Sequence, residues 1–378
     1  MSDSPTPSLH WDIFCQVIDN YGDIGVTWRL ARNLVRQYHQ QVRLFVDDLE
    51  TFRRLRADVA TDRAQQQIDG ITIVHWQPGL ACDPSADVVI EAFACELPTA
   101  WLTAMQEAER PPVWINLEYL SAEDWVEDCH LMTSISPATG LKKVFFFPGF
   151  TDKTGGLIID RPPPAPAEAT DRTEFLAGIG ATDLPANALL VSLFCYENPA
   201  LLSLLEVWQA AARPVVVLVP EGKALHALQQ AGIPLSLQQA YRAGSLHLQA
   251  IAFLSQDNYD LLLSHCDINI VRGEDSLVRG LLAEKPLIWH IYPQQEDAHL
   301  VKLTAFLERH TASAPAAFCD ALETLWMAFN RGEDCARAWN NCLQYTEEWR
   351  ETSHRHARYL TSLGNLTAKL VQFCKKTL

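Results

Sequence analysis

The stretch that decides the fold opens with Asp12-Ile13-Phe14-Cys15-Gln16-Val17-Ile18, a short apolar run typical of a buried strand. Gly22 and Gly25 follow and predict a turn. From Val26 the apolar residues recur at helical spacing, and residues 42–46 form a second apolar run. Strand, helix and strand in this order predict a βαβ unit, the building block of a parallel sheet.

The same alternation continues on both sides of a proline-rich segment, Arg161-Pro162-Pro163-Pro164-Ala165-Pro166. Proline cannot propagate a helix, so we expect an extended connector there. Further apolar runs predict strands over residues 87–93, 113–117 and 144–147 before the connector, and over 189–194, 215–219, 246–253, 268–271 and 287–291 after it. An α/β chain with two Rossmann-like domains accounts for this pattern.

Four segments follow from these boundaries. We expect an N-terminal Rossmann-like domain over residues 1–160, a connector over 161–173, a second Rossmann-like domain over 174–355, and a C-terminal helix over 356–378. The last helix could cross back to the N-terminal domain.

The composition limits the partners. With 30 basic and 46 acidic residues the formal net charge is −16, which would repel a phosphate backbone, so we expect no nucleic-acid partner. A cationic acceptor suits this charge better. Ten cysteines without a C-x-x-C pair are typical of reduced core residues. No apolar run approaches the roughly 20 residues that span a bilayer, so we expect a cytoplasmic protein without a membrane partner.

Three segments fall where strands lead into helices, the usual ligand-binding edge of an open α/β sheet. The first is Asp19-Asn20-Tyr21-Gly22-Asp23-Ile24-Gly25, which lacks the G-x-G-x-x-G fingerprint of dinucleotide sites. Its carboxylates disfavour a phosphate and would suit a cation. Helix capping by Asp19 and Asp23 is the alternative.

The second segment, Arg272-Gly273-Glu274-Asp275-Ser276, predicts a diphosphate cradle. Arg272 offers a planar fork, and Ser276 with the N–H groups of a helix start could bind phosphate oxygens. The alternative is an Asp or Ser helix cap beside a surface arginine. Glu274 needs a cationic or protic partner next to a phosphate site.

The third segment is aromatic and polar. Phe194 and Tyr196 end one predicted strand, Phe253 and Gln256 end another, and Tyr292 follows a third. Aromatic faces can stack on a base, and a glutamine amide can pair with uracil or thymine. Aromatic residues at strand ends are more often core residues.

Longer strings carry a family resemblance. Residues 13–26, 89–98 and 116–123 read IFCQVIDNYGDIGV, VIEAFACELP and NLEYLSAE. Shorter strings are Phe147-Pro148-Gly149-Phe150, Gly155-Gly156-Leu157, Arg272-Gly273-Glu274-Asp275-Ser276 and Trp289-His290-Ile291-Tyr292-Pro293-Gln294. Over nearly its whole length the chain resembles the protein-arginine rhamnosyltransferases that modify translation elongation factor P, the EarP family.

That resemblance implies an inverting GT-B glycosyltransferase, with two Rossmann-like domains facing across a cleft and C-terminal helices packing back. The donor dTDP-β-L-rhamnose would bind mainly to the C-terminal domain and elongation factor P to the N-terminal one. Rhamnose would pass to one arginine without a metal or other cofactor. The modification would activate the factor for translation of polyproline stretches.

The resemblance also implies roles for single residues. The key carboxylates fall on Asp19, Asp23 and Glu274, with Asp23 as the general base. The donor-binding positions fall on Phe194, Tyr196, Phe253, Gln256, Arg272, Asp275, Ser276 and Tyr292, with Gly22 at the acidic turn.

Three other functions share features with this sequence. A nicotinamide-dependent oxidoreductase would also have two α/β domains, but its glycine fingerprint is missing. A non-catalytic docking protein for a translation factor would account for the acidic charge. A glycosyltransferase with another nucleotide sugar is equally compatible with Gln256, which could pair with uracil as well as thymine.

Overall fold

The computed structural model describes residues 8–18, 21–83, 85–137, 139–160, 171–182, 184–185 and 187–378. The chain divides into two compact units, Met1–Asp160 with Leu360–Leu378 (unit 1) and Arg161–Tyr359 (unit 2). Asp19 and most of the predicted proline-rich connector, residues 161–170, lie outside the described residues.

The described strands are β1 (His10–Cys15), β2 (Gln41–Val46), β3 (Gln65–Ile68), β4 (Ile71–His75), β5 (Val88–Ala92), β6 (Val113–Leu117), β7 (Thr133–Ile135), β8 (Lys142–Phe146), β9 (Leu189–Leu193), β10 (Val215–Pro220), β11 (Tyr241–Ala243), β12 (Leu246–Ile251), β13 (Ile268–Arg272) and β14 (Leu287–His290).

The described helices are α1 (Tyr21–Tyr38), α2 (Leu49–Leu55), α3 (Thr99–Glu107), α4 (Trp125–Cys129), α5 (Arg172–Gly178), α6 (Ala200–Gln209), α7 (Lys223–Gln230), α8 (Gln256–His265), α9 (Gly273–Leu282), α10 (Ala298–Thr311), α11 (Ala316–Arg331), α12 (Ala336–Leu343), α13 (Thr346–Ser362) and α14 (Leu366–Thr377).

Unit 1 is built on an eight-stranded sheet in the order β3-β4-β2-β1-β5-β6-β8-β7. Its six inner strands are parallel, and the edge strands β3 and β7 are antiparallel to their neighbours. Every residue of β5 and β6 is buried, as expected for parallel strands covered on both faces. The inner strands follow the doubly wound order 3-2-1-4-5-6 when renumbered along the chain.

Helix α1 begins at Tyr21, earlier than the sequence predicts. Gly22 and Gly25 therefore lie inside the helix, and their interpretation as turn residues was wrong. Glycine in a helix costs about 1 kcal/mol relative to alanine. Burial of Ile24 and Trp28 on the same helix offsets that cost, and the acidic Asp23 in the first turn favours a helix start.

The C-terminal helix α14 belongs to unit 1 and packs on α1. Asn365 precedes it and caps it by accepting from the N–H of Thr367. The same side chain donates to the carbonyl of Ile159 at 2.7 Å, and Leu366 donates its backbone N–H to the carbonyl of Leu157. These contacts hold the chain end against residues that come more than 200 positions earlier.

Unit 2 contains a six-stranded sheet in the order β11-β12-β10-β9-β13-β14. The short edge strand β11 is antiparallel, and the other five strands are parallel in the renumbered order 3-2-1-4-5. Strand β10 reads Val-Val-Val-Leu-Val-Pro and is buried throughout, which is typical of a central parallel strand. The predicted α/β class with two Rossmann-like sheets is confirmed.

Candidate functional site

The strand order identifies one ligand-binding edge in each unit. In a doubly wound sheet, ligands bind beyond the carboxyl ends of the strands where the order reverses. The reversal lies between β1 and β5 in unit 1 and between β9 and β13 in unit 2. The acidic segment follows β1, and the aromatic and arginine segments follow β9 and β13.

Asp23 is the central residue of the unit 1 edge. It lies in the first turn of α1 with 2% of its surface exposed. Its Oδ2 accepts the backbone N–H of Ile18 at 2.8 Å, and the hydroxyl of Tyr119 lies 3.4 Å from its Oδ1. The carboxylate is therefore held from two sides. Gly22 lies one residue before it.

The carboxylate of Asp23 thus reaches back to a residue that precedes the helix. A capping box uses a carboxylate at the same helix position in a similar way, so the capping alternative describes part of what Asp23 does. Capping does not account for the contact with Tyr119, which lies beyond β6 and 96 positions away in the sequence.

A second group of polar side chains lies on the neighbouring strands of unit 1. Glu91 is buried on β5, where it accepts from Lys143 Nζ at 2.6 Å and from the indole N–H of Trp114 at 3.1 Å. Burial raises the pKa of Glu91, and Lys143 opposes that rise. Burial also raises the pKa of Glu118, which accepts a hydrogen bond from Asn116.

Arg272 is the central residue of unit 2. It ends β13 and is buried. Its guanidinium carbon lies 4.4 Å from the ring centroid of Phe194 and 4.9 Å from that of Tyr196. Both aromatic residues follow β9, the strand next to β13. The predicted aromatic and arginine segments therefore meet at the reversal point.

The N-cap position of α9 is Arg272 and not the Asp or Ser of the capping alternative. Arg272 itself is the N-cap residue of α9 and makes no side-chain cap hydrogen bond. It is also a buried residue, whereas the alternative required a surface arginine. Gly273 adopts a φ of +63°, a conformation that favours glycine, and its carbonyl accepts from the indole of Trp289 at 2.9 Å.

Aromatic rings and a second cation surround Tyr196. The ring of Tyr292 lies 5.5 Å from it in an edge-on arrangement, and the ring of His290 lies at 5.3 Å. Lys223 Nζ lies 5.4 Å from the Tyr196 centroid. Burial, reinforced by the charge of Arg272, lowers the pKa of His290 to about 3, so this imidazole is neutral.

Gln256 and Asp275 are in direct contact. Gln256 begins α8 and is buried, and its Nε2 lies 3.4 Å from Asp275 Oδ2. The carbonyl oxygen of the Gln256 amide is therefore directed away from Asp275. Asp275 Oδ1 lies 3.9 Å from Nε of Arg279, which is one turn further along α9.

The remaining predicted residues take separate places. Ser276 is buried and Glu274 is half-buried in the first turn of α9. Phe253 follows β12, and its backbone N–H donates to Glu221 at 3.2 Å. Its side chain is half-buried.

Sequence reasoning missed three residues at these edges: Tyr119, Lys223 and Tyr259. Tyr119 follows β6 by two residues, Lys223 begins α7 after β10, and Tyr259 lies in α8 with its ring 5.4 Å from that of Phe194. The signal available was position alone, since Tyr119 and Lys223 come two and three residues after apolar strands.

Neither a metal-binding group nor a membrane-spanning helix is found in the described part of the chain. It contains no group of three His, Cys, Asp or Glu side chains placed to hold a metal ion. None of its helices combines the length and the apolar character needed to cross a bilayer.

Comparison with known proteins identifies relatives over the full chain. The family model described as Elongation-Factor P (EF-P) rhamnosyltransferase EarP matches residues 11–375. A protein-arginine rhamnosyltransferase from Pseudomonas aeruginosa is 46% identical over 372 residues, which cover 96% of this chain and 98% of the relative.

Solved structures agree with the family match. A structure described as the basis for EarP-mediated arginine glycosylation of translation elongation factor EF-P is 33% identical, covers 98% of this chain and 100% of its own, and has a TM-score of 0.68. The spinosyn rhamnosyltransferase SpnG shares the fold at 10% identity, with a TM-score of 0.53 over 97% of this chain and 100% of its own. Because the family model and these relatives match nearly the whole chain, the chain belongs to the EarP family of elongation factor P rhamnosyltransferases.

Proposed function

We propose that the chain transfers L-rhamnose from dTDP-β-L-rhamnose to an arginine side chain of translation elongation factor P, with inversion at the anomeric carbon. The observation that carries this proposal is family membership across residues 11–375. The chemistry of the two edges supports it, because unit 1 presents a buried carboxylate and unit 2 presents a buried guanidinium bracketed by aromatic rings.

The acceptor requires a carboxylate. A guanidinium is protonated at physiological pH and is a poor nucleophile, so the enzyme must bind the cation and remove a proton during attack. Asp23 accepts that proton as the general base. Asp19 and Glu274 engage the guanidinium electrostatically. The hydrogen bond from Ile18 supports this role because it fixes the orientation of the Asp23 carboxylate.

The donor nucleotide requires stacking and an imide partner. Phe194, Tyr196, Phe253 and Tyr292 supply aromatic faces. The contact between Gln256 Nε2 and Asp275 sets the orientation of the amide, so its carbonyl oxygen accepts the N3–H of the base. Thymine and uracil both carry this N–H, so selectivity for thymidine requires a contact to the C5 methyl group.

The leaving diphosphate requires positive charge. Arg272 supplies a planar cation, and the start of α9 at Gly273–Ser276 supplies backbone N–H groups and the hydroxyl of Ser276. These groups stabilise the departing diphosphate in place of a divalent ion. The sugar acquires oxocarbenium character as the bond to the diphosphate breaks, and one in-line displacement inverts the anomeric carbon.

Donor choice and metal dependence are tested together. Elongation factor P is incubated with the protein and either dTDP-β-L-rhamnose or a uridine diphosphate sugar, each with and without EDTA, and its intact mass is recorded. We expect a deoxyhexose increment with the rhamnose donor that EDTA does not reduce. Transfer only from the uridine donor, or loss of transfer with EDTA, would contradict the proposal.

A further inference from the structure

Tyr119 lies at the acidic edge of unit 1 and has no role in the proposed transfer described above. Its hydroxyl lies 3.4 Å from Asp23 Oδ1, while the other carboxylate oxygen accepts the backbone N–H of Ile18. The distance is long for an O–H···O hydrogen bond. Catalytic hydrogen bonds are often long before the substrate binds and shorten in the complex.

The ring of Tyr119 is held in place by Phe93. The two rings are stacked with centroids 4.5 Å apart and an interplanar angle of 19°. Phe93 is 8% exposed and lies at the carboxyl end of β5, the strand that flanks the reversal point of the sheet. The stack therefore forms between the ends of two neighbouring strands, directly beside the helix start that carries Asp23.

The backbone at Phe93 is strained. Phe93 and Ala94 have φ values of +59° and +57°, in the left-handed region that residues with a Cβ atom rarely adopt. Such strain persists only where the surroundings impose it, and it concentrates at functional sites. No glycine relieves it here, so the side chain of Phe93 is retained at an energetic cost.

Hydrogen bonds donated to β6 impose this turn. Phe93 donates its N–H to the carbonyl of Leu117 at 2.7 Å, and Ala94 donates to Asn116 Oδ1 at 3.1 Å. The amide of Asn116 also donates to Glu118 Oε1 at 2.6 Å. A single buried side chain, Asn116, therefore links the strained turn to the residue that precedes Tyr119.

We propose that Tyr119 is a positioning residue for Asp23: stacked on Phe93, it holds the carboxylate in the orientation that accepts the proton of the acceptor. This role rests on the proposed function. The phenol stabilises the ionised carboxylate, because a hydrogen bond donated to a charged form favours that form. Its removal therefore makes Asp23 less well oriented and protonated at a higher pH.

The hydroxyl of Tyr119 is tested separately from its ring. Tyr119→Phe keeps the stack and removes the hydroxyl. We expect kcat to fall about 10-fold, with little change in the KM for the donor, and the acid limb of the kcat profile to move to higher pH. Tyr38→Phe removes a half-buried hydroxyl from the far end of α1 and should change none of these quantities.

Two substitutions of Phe93 test the contribution of the stacked ring. Phe93→Ala removes the ring under Tyr119 and should lower kcat in the same direction, whereas Phe93→Tyr retains the stack and should restore most of it. All three residues carry a Cβ atom, so the backbone strain is comparable. Thermal unfolding of each variant shows whether a loss of activity reflects a loss of folded protein.

The outcomes are distinguishable. If the wild-type protein transfers rhamnose and Tyr119→Phe matches it in kcat and in pH profile, the positioning role is overturned and the proposed function stands. If Phe93→Ala has the same kcat as Phe93→Tyr and the wild-type protein, the stack has no part in catalysis. If the wild-type protein transfers nothing, the proposed function fails and the role of Tyr119 fails with it.

Discussion

The guanidinium carbon of Arg272 lies 4.4 Å from the centroid of the Phe194 ring, and both residues are at the carboxyl ends of adjacent strands. The cation is stabilised by the ring electrons while being largely removed from water. An arginine tolerates this environment because its charge is delocalised and weakly hydrated. In the proposed function, the planar N–H donors of this guanidinium bind the diphosphate of the donor.

Replacement of Arg272 by lysine should weaken donor binding. Lysine keeps the charge but lacks the planar fork and the stacking surface, so we expect the Kd for dTDP-β-L-rhamnose to rise about 10-fold or more. Titration calorimetry measures the change. Arg242→Lys, at an exposed position of the edge strand β11, is the matched control. Equal affinity of the Arg272→Lys variant and the wild-type protein would contradict diphosphate binding by Arg272.

Replacement of Asp23 by asparagine should separate binding from chemistry. An amide oxygen can still accept the N–H of Ile18, so the helix start is preserved, but the amide cannot accept a proton. We expect donor affinity to be unchanged and transfer to fall by about 10²- to 10⁴-fold. Calorimetry with the donor and initial rates of transfer to elongation factor P give the two values.

Asp47→Asn is the matched control for Asp23→Asn. Asp47 accepts the N–H of Val17 at 2.9 Å, one residue before the partner of Asp23, and its replacement makes the same chemical change. We expect Asp47→Asn to keep the wild-type rate. Comparable rates for Asp23→Asn and the wild-type protein would eliminate Asp23 as the base.

His290 should make the stability depend on pH. Burial, with the nearby charge of Arg272, lowers its pKa to about 3, whereas an unfolded histidine has a pKa near 6.5. The unfolded chain therefore binds a proton first as pH falls. The stabilising contribution is complete above about pH 6.5 and is lost progressively as the pH falls toward 3.

Unfolding in urea at pH 7, 6 and 5 measures this effect. His290→Asn should have a lower midpoint at pH 7 because packing is lost, and its midpoint should decline less between pH 7 and 5 than that of the wild-type protein. His39→Asn, at an exposed histidine with a positive φ that asparagine tolerates, should decline as the wild-type protein does. A parallel decline in His290→Asn would refute the assignment.

Most parallel strands were predictable because they are continuous apolar runs, as β10 illustrates. The inner strand β4 of unit 1 was missed, and so were the antiparallel edge strands β3, β7 and β11. Strand β3 reads Gln-Gln-Gln-Ile and β7 is fully exposed, so neither carries a hydrophobic period, and only the partner strand specifies them. The start of α1 was placed too late because its two glycines resemble a turn, while packing of the apolar face decides the helix.

The strand-to-helix position of the candidate residues was predictable where one local segment supplied several of them, as in Arg272 with Ser276. The partners of those residues were harder to predict. Tyr119 comes into contact with Asp23 only because β6 lies two strands from β1 in the folded sheet. The strain at Phe93 has no signature in the sequence, since it is imposed by hydrogen bonds that Phe93 and Ala94 donate to β6.

The most direct measurement is fragmentation mass spectrometry of elongation factor P after incubation with this protein and dTDP-β-L-rhamnose. We predict one deoxyhexose on a single arginine side chain with the wild-type protein and almost none with Asp23→Asn. An unmodified factor, or a sugar on another type of side chain, would contradict arginine rhamnosylation.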